Sequence, residues 1–73
     1  MDPIAFDLRG DHLTLDALLK AAGLAGSGGD AKMLIQQGGV LVNGEVDLRR
    51  GRKLRAGDEV AVGEQRVALR AAA

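Results

Sequence analysis

The stretch from Ser27 to Lys53 constrains the fold of this chain more than any other. Ser27 is of the residue type that caps a helix N-terminus. The pair Gly38-Gly39 is predicted to end that helix, because glycine lets the backbone turn sharply. Asn43-Gly44 then predicts a tight hairpin, since both residues tolerate positive φ. A helix followed directly by a β-hairpin is therefore predicted here.

Two amphipathic segments predict helices on either side of a short glycine-containing link. Thr14 is the predicted N-cap of a first helix from Leu15 to Ala22, because leucines follow it at helical spacing. Gly23 is of the type that commonly follows a helix end. The second helix is predicted to begin after Ser27 and to stop at Gly38. Its predicted buried stripe consists of Ala31, Leu34 and Ile35.

Alternating apolar and polar residues predict short strands before and after the helices. Glu45 to Leu48 is predicted to return from the hairpin, and Leu54 to anchor a further extended segment. Because both helices fall in the first half and strands follow, we predict an α+β fold with two N-terminal helices packed on a small, mostly antiparallel sheet. At 73 residues, the chain is expected to be one domain, 1–73. The alternating apolar residues are Ile4, Phe6, Leu8, Val40, Val42, Val60, Val62, Val67 and Leu69.

Charge is distributed unevenly along a chain whose formal net charge is zero. Five of the ten basic residues lie between Arg49 and Arg55, with no acid among them. Such a cluster can meet several phosphates, and the planar arginine fork can bind two phosphate oxygens at once. The alternative is a solvated loop balanced by nearby acids. The basic residues are Arg49, Arg50, Arg52, Lys53 and Arg55; the acids are Glu45, Asp47, Asp58 and Glu59.

Composition also bounds the chemistry. Phe6 is the only aromatic residue, so recognition by stacking of bases on aromatic rings is nearly excluded. The chain has no cysteine, and His12 is its only histidine, so we expect no metal, no cofactor and no catalytic site. The absence of cysteine suits a reducing cytoplasm, and no apolar run approaches membrane-spanning length. Cytoplasmic localisation without membrane insertion is therefore expected.

The pattern Ser-x-x-x-Ala-Lys-x-x-Ile-x-x-Gly-x-Val-x-Val-Asn-Gly resembles the RNA-binding domain first described in small-subunit ribosomal protein S-four, also called the αL motif. The resemblance covers about residues 13–62, which include a further match at Gly57-Asp58. It implies an RNA-binding module similar to small stand-alone bacterial members of that family, with structured RNA such as ribosomal RNA or tRNA as partner. Association with the ribosome and a monomeric state are further expectations. The matching residues are Ser27, Ala31, Lys32, Ile35, Gly38, Val40, Val42, Asn43 and Gly44.

The resemblance implies that RNA contacts come from the second helix and from the loop after the hairpin. The family often carries arginine where this chain has Gly28, and a basic residue where it has Gln36. Positive charge is instead concentrated in the loop after the hairpin. The predicted RNA-binding residues are Lys32, Gln36, Arg49, Arg50, Arg52, Lys53 and Arg55.

Two other functions fit parts of the sequence. Val-Asn-Gly-Glu-Val and Gly-Asp-Glu-Val are also similar to segments of β-grasp sulfur-carrier proteins, which end in an activated Gly-Gly. This chain ends in Ala71-Ala72-Ala73, so only a β-grasp-like protein–protein adaptor without that chemistry would remain. A subunit whose catalytic partner lies on another chain is the third hypothesis.

Overall fold

In the computed structural model, which describes residues 3–72, both helices lie between the first strands and the later ones. Each element is short, as expected for a chain this size. The helices are α1 (Leu15–Ala21) and α2 (Gly28–Gln36). The strands are β1 (Ile4–Leu8), β2 (Leu13–Thr14), β3 (Val40–Val42), β4 (Glu45–Val46), β5 (Lys53–Leu54), β6 (Glu59–Val62) and β7 (Gln65–Ala71).

The strands form a five-stranded sheet and a separate two-stranded one. The larger sheet has the order β1-β7-β6-β3-β4, and β2 pairs with β5 in the smaller. Every pairing is antiparallel except that of β1 with β7. That parallel pair runs in register from Ile4 opposite Val67 to Leu8 opposite Ala71. The predicted α+β class and mostly antiparallel sheet are therefore confirmed.

The prediction that the helices are N-terminal needs correction. β1 and β2 both precede α1, and β1 forms an edge of the larger sheet beside the last strand. Parallel strands cannot be joined by a tight hairpin and need a long crossover. Both helices lie within the long connection between β1 and β7. The first strand was predicted from its alternation, but its partner at the far end of the chain was not.

The core lies between the helices and one face of the larger sheet. α1 contributes three leucines and α2 contributes Ala31 and Ile35 to it. Burial of the whole core, at about 25 cal/mol per Å² of apolar surface removed from water, is the main favourable contribution to folding. The buried apolar residues are Leu8, Leu15, Leu18, Leu19, Ala31, Ile35, Val40, Val42, Leu54, Val60, Val67 and Leu69.

The predicted turns occur where glycine or asparagine allows positive φ. Gly38 follows α2 with φ of 77°, and Asn43 and Gly44 have φ of 52° and 86° between β3 and β4. The Asn43 side chain also donates to Asp58 and accepts from the backbone N–H of Glu59. It thereby ties the hairpin to the turn before β6. The return strand is shorter than predicted and ends at Val46.

Candidate nucleic-acid interface

The basic loop, residues 49–55, is bound through its backbone to the start of α1. The backbone N–H of Leu15 donates to the carbonyl oxygen of Arg52 at 2.9 Å, and that of Asp16 donates to the carbonyl oxygen of Arg50 at 3.1 Å. The first N–H groups of a helix have no partner within the helix. Thr14 is the N-cap, as predicted, but its side chain makes no capping hydrogen bond. The loop carbonyls take over that role.

The end of the basic loop is held by the small sheet. β2 pairs with β5, with Leu13 opposite Leu54 and Thr14 opposite Lys53. Leu54 is completely buried, as its predicted anchoring role requires. Burial of a leucine side chain is worth about 1.5–3 kcal/mol, enough to fix the exit of the loop. The loop is therefore attached to both the helix layer and the core.

A buried carboxylate holds the beginning of the loop. Asp47 is only 5% exposed. Its Oδ1 accepts from the Arg49 backbone N–H at 2.9 Å and from Arg49 Nε at 3.1 Å. Its Oδ2 accepts from Arg49 Nη2 at 2.9 Å and from Arg52 Nη1 at 2.7 Å. Asp47 thus makes a bidentate ion pair with Arg49 and a single hydrogen bond to Arg52. Bidentate pairs between arginine and a carboxylate are among the stronger ion pairs.

These contacts keep the Asp47 carboxylate charged. The hydrogen bond from the Arg49 side chain is the largest influence and holds the pKa of Asp47 well below its usual range, although burial opposes the shift. The same hydrogen bond raises the pKa of Arg49. Nearby, burial raises the pKa of Asp58, but hydrogen bonds from the Arg55 backbone N–H and the Asn43 amide outweigh it and lower that pKa. Both acids remain ionised near neutral pH.

The five predicted cations of the loop therefore fall into distinct environments. Arg49 and Arg52 bind Asp47, with side-chain exposures of 72% and 30%. Arg55 donates weakly to the Asp11 carbonyl at 3.4 Å. The side chains of Arg50 and Lys53 are exposed and make no ion pair or hydrogen bond to other residues in 3–72. The structure thus orders two of the five predicted cations around one acid, and that acid is one of those that the sequence placed near the loop.

Asp47 is the organising residue that the sequence did not single out. An acid two residues before an arginine permits a local ion pair, and that spacing was the available signal. What the sequence could not supply is burial of the acid, which depends on how the loop packs against α1 and β3. The backbone N–H of Asp47 itself donates to the Val40 carbonyl at 3.2 Å. Asp47 is thereby turned inward just after β4.

Among residues 3–72, no group of three or more histidine, cysteine, aspartate or glutamate side chains is placed to hold a metal ion. The helices of the same part of the chain lack the length and apolar character needed to cross a membrane.

Comparison with known proteins gives the family. The model of the S4 domain matches residues 6–70. This chain belongs to the S4 domain family. A relative from Bacillus subtilis (strain 168) is 46% identical over 61 residues, which cover 84% of this chain and 83% of the relative. That relative is named a probable ribosome maturation protein, RlbA.

The second helix of this S4 domain carries the other two predicted site residues. Lys32 and Gln36 lie one turn apart on α2 and are both exposed. Neither is joined to the basic loop by a hydrogen bond or ion pair between described residues. At the start of α2, a Cβ placed on Gly28 would lie 4.0 Å from Lys20 Cδ. Lys20 therefore brings a basic side chain beside Gly28, the position at which this chain lacks the arginine noted above.

Proposed function

We propose that this S4 domain protein is a non-catalytic RNA-binding module that recognises structured RNA through its basic loop and α2. The observation that carries the proposal is that the basic loop is attached to the rest of the fold at three points. Its carbonyls bind the start of α1, its exit is fixed by buried Leu54, and its entry is fixed by Asp47. A loop held at three points fixes the backbone from which its cations project, so less conformational entropy is lost on binding.

The charge of the loop favours a polyanion as the partner. Five cations lie within residues 49–55, and the acid that contacts two of them is buried. Arg50 and Lys53 retain all their donors, and Arg49 keeps those that do not face Asp47. Because Phe6 is the only aromatic, we propose that phosphate geometry and RNA shape, rather than stacking of bases on rings, dominate recognition.

Ribosomal RNA is the favoured target within the class of structured RNAs, with tRNA second. The support is the relative named a probable ribosome maturation protein, which is 46% identical over most of both chains. We therefore propose that the protein associates with the ribosome or its RNA, and its action as a monomer in the cytoplasm stays a prediction. Lys32, Gln36 and Lys20 would extend the contact from the loop along the helices.

The direct test is an RNA-binding series across salt. Deproteinised ribosomal RNA, bulk tRNA, polyuridylate and duplex DNA are compared by filter binding. We expect ribosomal RNA to bind tightest, and its affinity to fall about 100-fold between about 50 and 200 mM salt if about four phosphates are contacted. Equal affinity for all four polymers would contradict recognition of structured RNA. Absence of salt dependence would contradict phosphate contact altogether.

The location of the site is tested by removing cations without touching the Asp47 contacts. Arg50→Ala combined with Lys53→Ala should lower RNA affinity about tenfold and make the salt slope shallower by about two. The matched control is Arg66→Ala with Arg70→Ala, which removes the same charge from β7. There the buried Val67 and Leu69 alternate with the two arginines, so these point away from the core. Equal losses in both double variants would contradict a site at the loop.

One observation favours the adaptor alternative. Val46 and Leu48 are 56% and 62% exposed at and just after β4, which is an edge strand of the larger sheet. Exposed apolar side chains at a free strand edge suit contact with another protein. Pull-down with and without nuclease separates the two functions. Partners that persist after nuclease treatment would favour the adaptor, and partners lost with the RNA would favour the RNA-binding module.

A further inference from the structure

We propose that Asp47 is a positioning residue for RNA binding, so that this acid raises the affinity of the protein for a polyanion. The inference rests on the proposed function and deepens it. A carboxylate inside a phosphate-binding loop is expected to weaken binding by repulsion. The geometry around Asp47 points to the opposite sign, because the acid is buried while the arginine it holds is exposed.

The contact with Asp47 uses one edge of the Arg49 guanidinium. Nε and Nη2 each donate one hydrogen bond to the carboxylate. A guanidinium has five N–H donors, so three remain, including both on Nη1. The side chain is 72% exposed, so these donors are available at the surface. Asp47 thereby fixes the plane of the fork and directs its unused edge outward.

The same carboxylate also sets the course of the backbone. Oδ1 accepts from the Arg49 backbone N–H, and Oδ2 also binds Arg52 Nη1. The carbonyl of Arg52 in turn accepts from Leu15 at the start of α1. Hydrogen bonds that the Asp47 carboxylate accepts from side chains and backbone therefore help to hold the segment from Asp47 to Arg52 next to α1. Loss of the acid would release the Arg49 side chain and weaken the attachment of Arg52.

The opposing hypothesis is that Asp47 competes with phosphate for Arg49. In that case RNA would displace the carboxylate, and removal of its charge would favour binding. For a carboxylate about 7 Å from a phosphate, loss of the repulsion would tighten binding about twofold after screening. A positioning role predicts a loss instead, of about fivefold, as is usual for groups coupled through direct contact. The two hypotheses differ in sign.

The experiment compares Asp47→Asn with Glu45→Gln, using deproteinised ribosomal RNA as the probe. Both substitutions remove one negative charge from the same segment. Glu45 is exposed and makes no ion pair with any residue in 3–72, which makes it the matched control. We expect Asp47→Asn to weaken binding about fivefold and Glu45→Gln to leave it unchanged or up to about twofold tighter. Equal or tighter binding by Asp47→Asn would overturn the inference.

Action through Arg49 is tested by a double-mutant cycle. If Asp47 works by orienting Arg49, Asp47→Asn should cost much less in an Arg49→Ala background than in the wild type. A full fivefold loss in that background would overturn action through Arg49. Circular dichroism and thermal unfolding establish that each variant is folded before its affinity is compared.

A measurement on the unmodified protein keeps the inference testable if Asp47→Asn does not fold. The Nε–H of Arg49 is followed by ¹⁵N NMR with and without ribosomal RNA fragments. We expect the scalar coupling across the hydrogen bond between Arg49 ¹⁵Nε and Asp47 ¹³Cγ to persist in the complex, because Asp47 still accepts from Nε–H. Loss of that coupling on binding would show that the acid has been displaced and would overturn the inference.

Failure of this inference and failure of the proposed function give different results. If the wild-type protein does not bind RNA, the proposed function is wrong, and the positioning role is wrong with it. If the wild type binds with the expected salt dependence and Asp47→Asn binds as well or better, only the role of Asp47 is wrong.

Discussion

The two helices of this S4 domain begin in different ways. At α2, the Ser27 hydroxyl accepts from the backbone N–H of Asp30, three residues away, at 3.2 Å. At α1, the Thr14 side chain makes no capping bond, and the N–H groups of Leu15 and Asp16 bind carbonyls in the basic loop. One helix start is completed locally and the other by residues far along the chain.

This difference separates a helix start that is completed locally from one that depends on the basic loop. The Ser27 cap stabilises α2 independently of the conformation of the basic loop. The start of α1 and the basic loop depend on each other, because each supplies the other's hydrogen-bond partners. Substitutions that weaken the attachment of the basic loop should therefore lower hydrogen-exchange protection at the start of α1 before they lower it in α2. The predictions below test that asymmetry, beginning with the largest effect.

Leu54→Ala should have the largest effect and should act on α1 selectively. The substitution leaves a cavity where a completely buried side chain held the loop exit, at a cost of about 2–5 kcal/mol in the free energy of unfolding. Urea denaturation measures that cost. Hydrogen exchange should further show that the amides of Leu15 and Asp16 lose protection before those of α2.

Ile35→Ala is the matched control for that selectivity. Ile35 is also completely buried, but it lies on α2. We expect a similar decrease in the free energy of unfolding, but with hydrogen-exchange protection retained at the amides of Leu15 and Asp16. If both variants expose the same amides to the same degree, the chain opens as one unit and the two helix starts are not independent.

Acid pH should weaken the loop through Asp47. Because the folded protein holds the pKa of Asp47 below its usual value, the unfolded chain binds more protons than the folded one as pH falls below about 4. The stabilising contribution is complete above about pH 5 and is lost progressively below that range. We expect about 1–3 kcal/mol of pH-dependent stability, measured by urea denaturation at several pH values.

Two variants test the assignment of that pH dependence. Asp47→Asn should be less stable than the wild type at neutral pH, and its stability should fall less steeply in acid. Ser27→Ala changes no titrating group, so its stability curve should lie below that of the wild type by a constant amount. An unchanged acid slope in Asp47→Asn would assign the dependence to other carboxyl groups, Asp58 among them.

The same contrast explains which features could be predicted from the sequence. The Ser27 cap, the end of α2 at Gly38 and the Asn43-Gly44 hairpin depend on residues a few positions apart, and all were predicted. The parallel pairing of β1 with β7 and the β2–β5 bridge join segments tens of residues apart, and neither was. Local chemistry fixes a turn or a cap, whereas strand partners depend on which apolar faces meet in the core.

The candidate site divides in the same way. Concentration of cations between Arg49 and Arg55 was evident in the sequence, and so was an exposed Lys32. Burial of Asp47 beneath them was not, because a charged residue in a basic segment is most often at the surface. In the sequence, Asp47 is one of four acids near the loop. Its burial makes it the residue around which the loop is arranged.

Substitution of the two N-caps gives the next effect in size. Ser27→Ala should cost about 1 kcal/mol, because the N–H of Asp30 loses its acceptor. Thr14→Ala should cost less than about 0.5 kcal/mol, since its side chain caps nothing. Thermal unfolding of the two variants measures the difference. Equal losses of stability in the two variants would show that the Thr14 side chain stabilises α1 through a contact of its own, in addition to the hydrogen bonds that the loop carbonyls accept.

Gly51→Ala should have the smallest effect, and with the opposite sign. A Cβ at Gly51 meets nothing within 4 Å, and its φ is not in the left-handed region. Alanine at a compatible position stabilises by about 0.4–1 kcal/mol, because it restricts the unfolded chain. If the basic loop binds RNA in the arrangement that Asp47 and α1 already hold, RNA affinity should change less than about twofold.

Gly38→Ala is the matched control, because its φ of 77° is one that alanine adopts only with strain. That variant should lose stability while its RNA affinity, measured under folded conditions, stays the same. A folded Gly51→Ala variant with clearly weaker RNA binding would mean that the loop must change shape to bind. The asymmetry between the two helix starts would then stabilise the free protein only, since a loop that must detach from α1 to reach RNA cannot be preorganised by it.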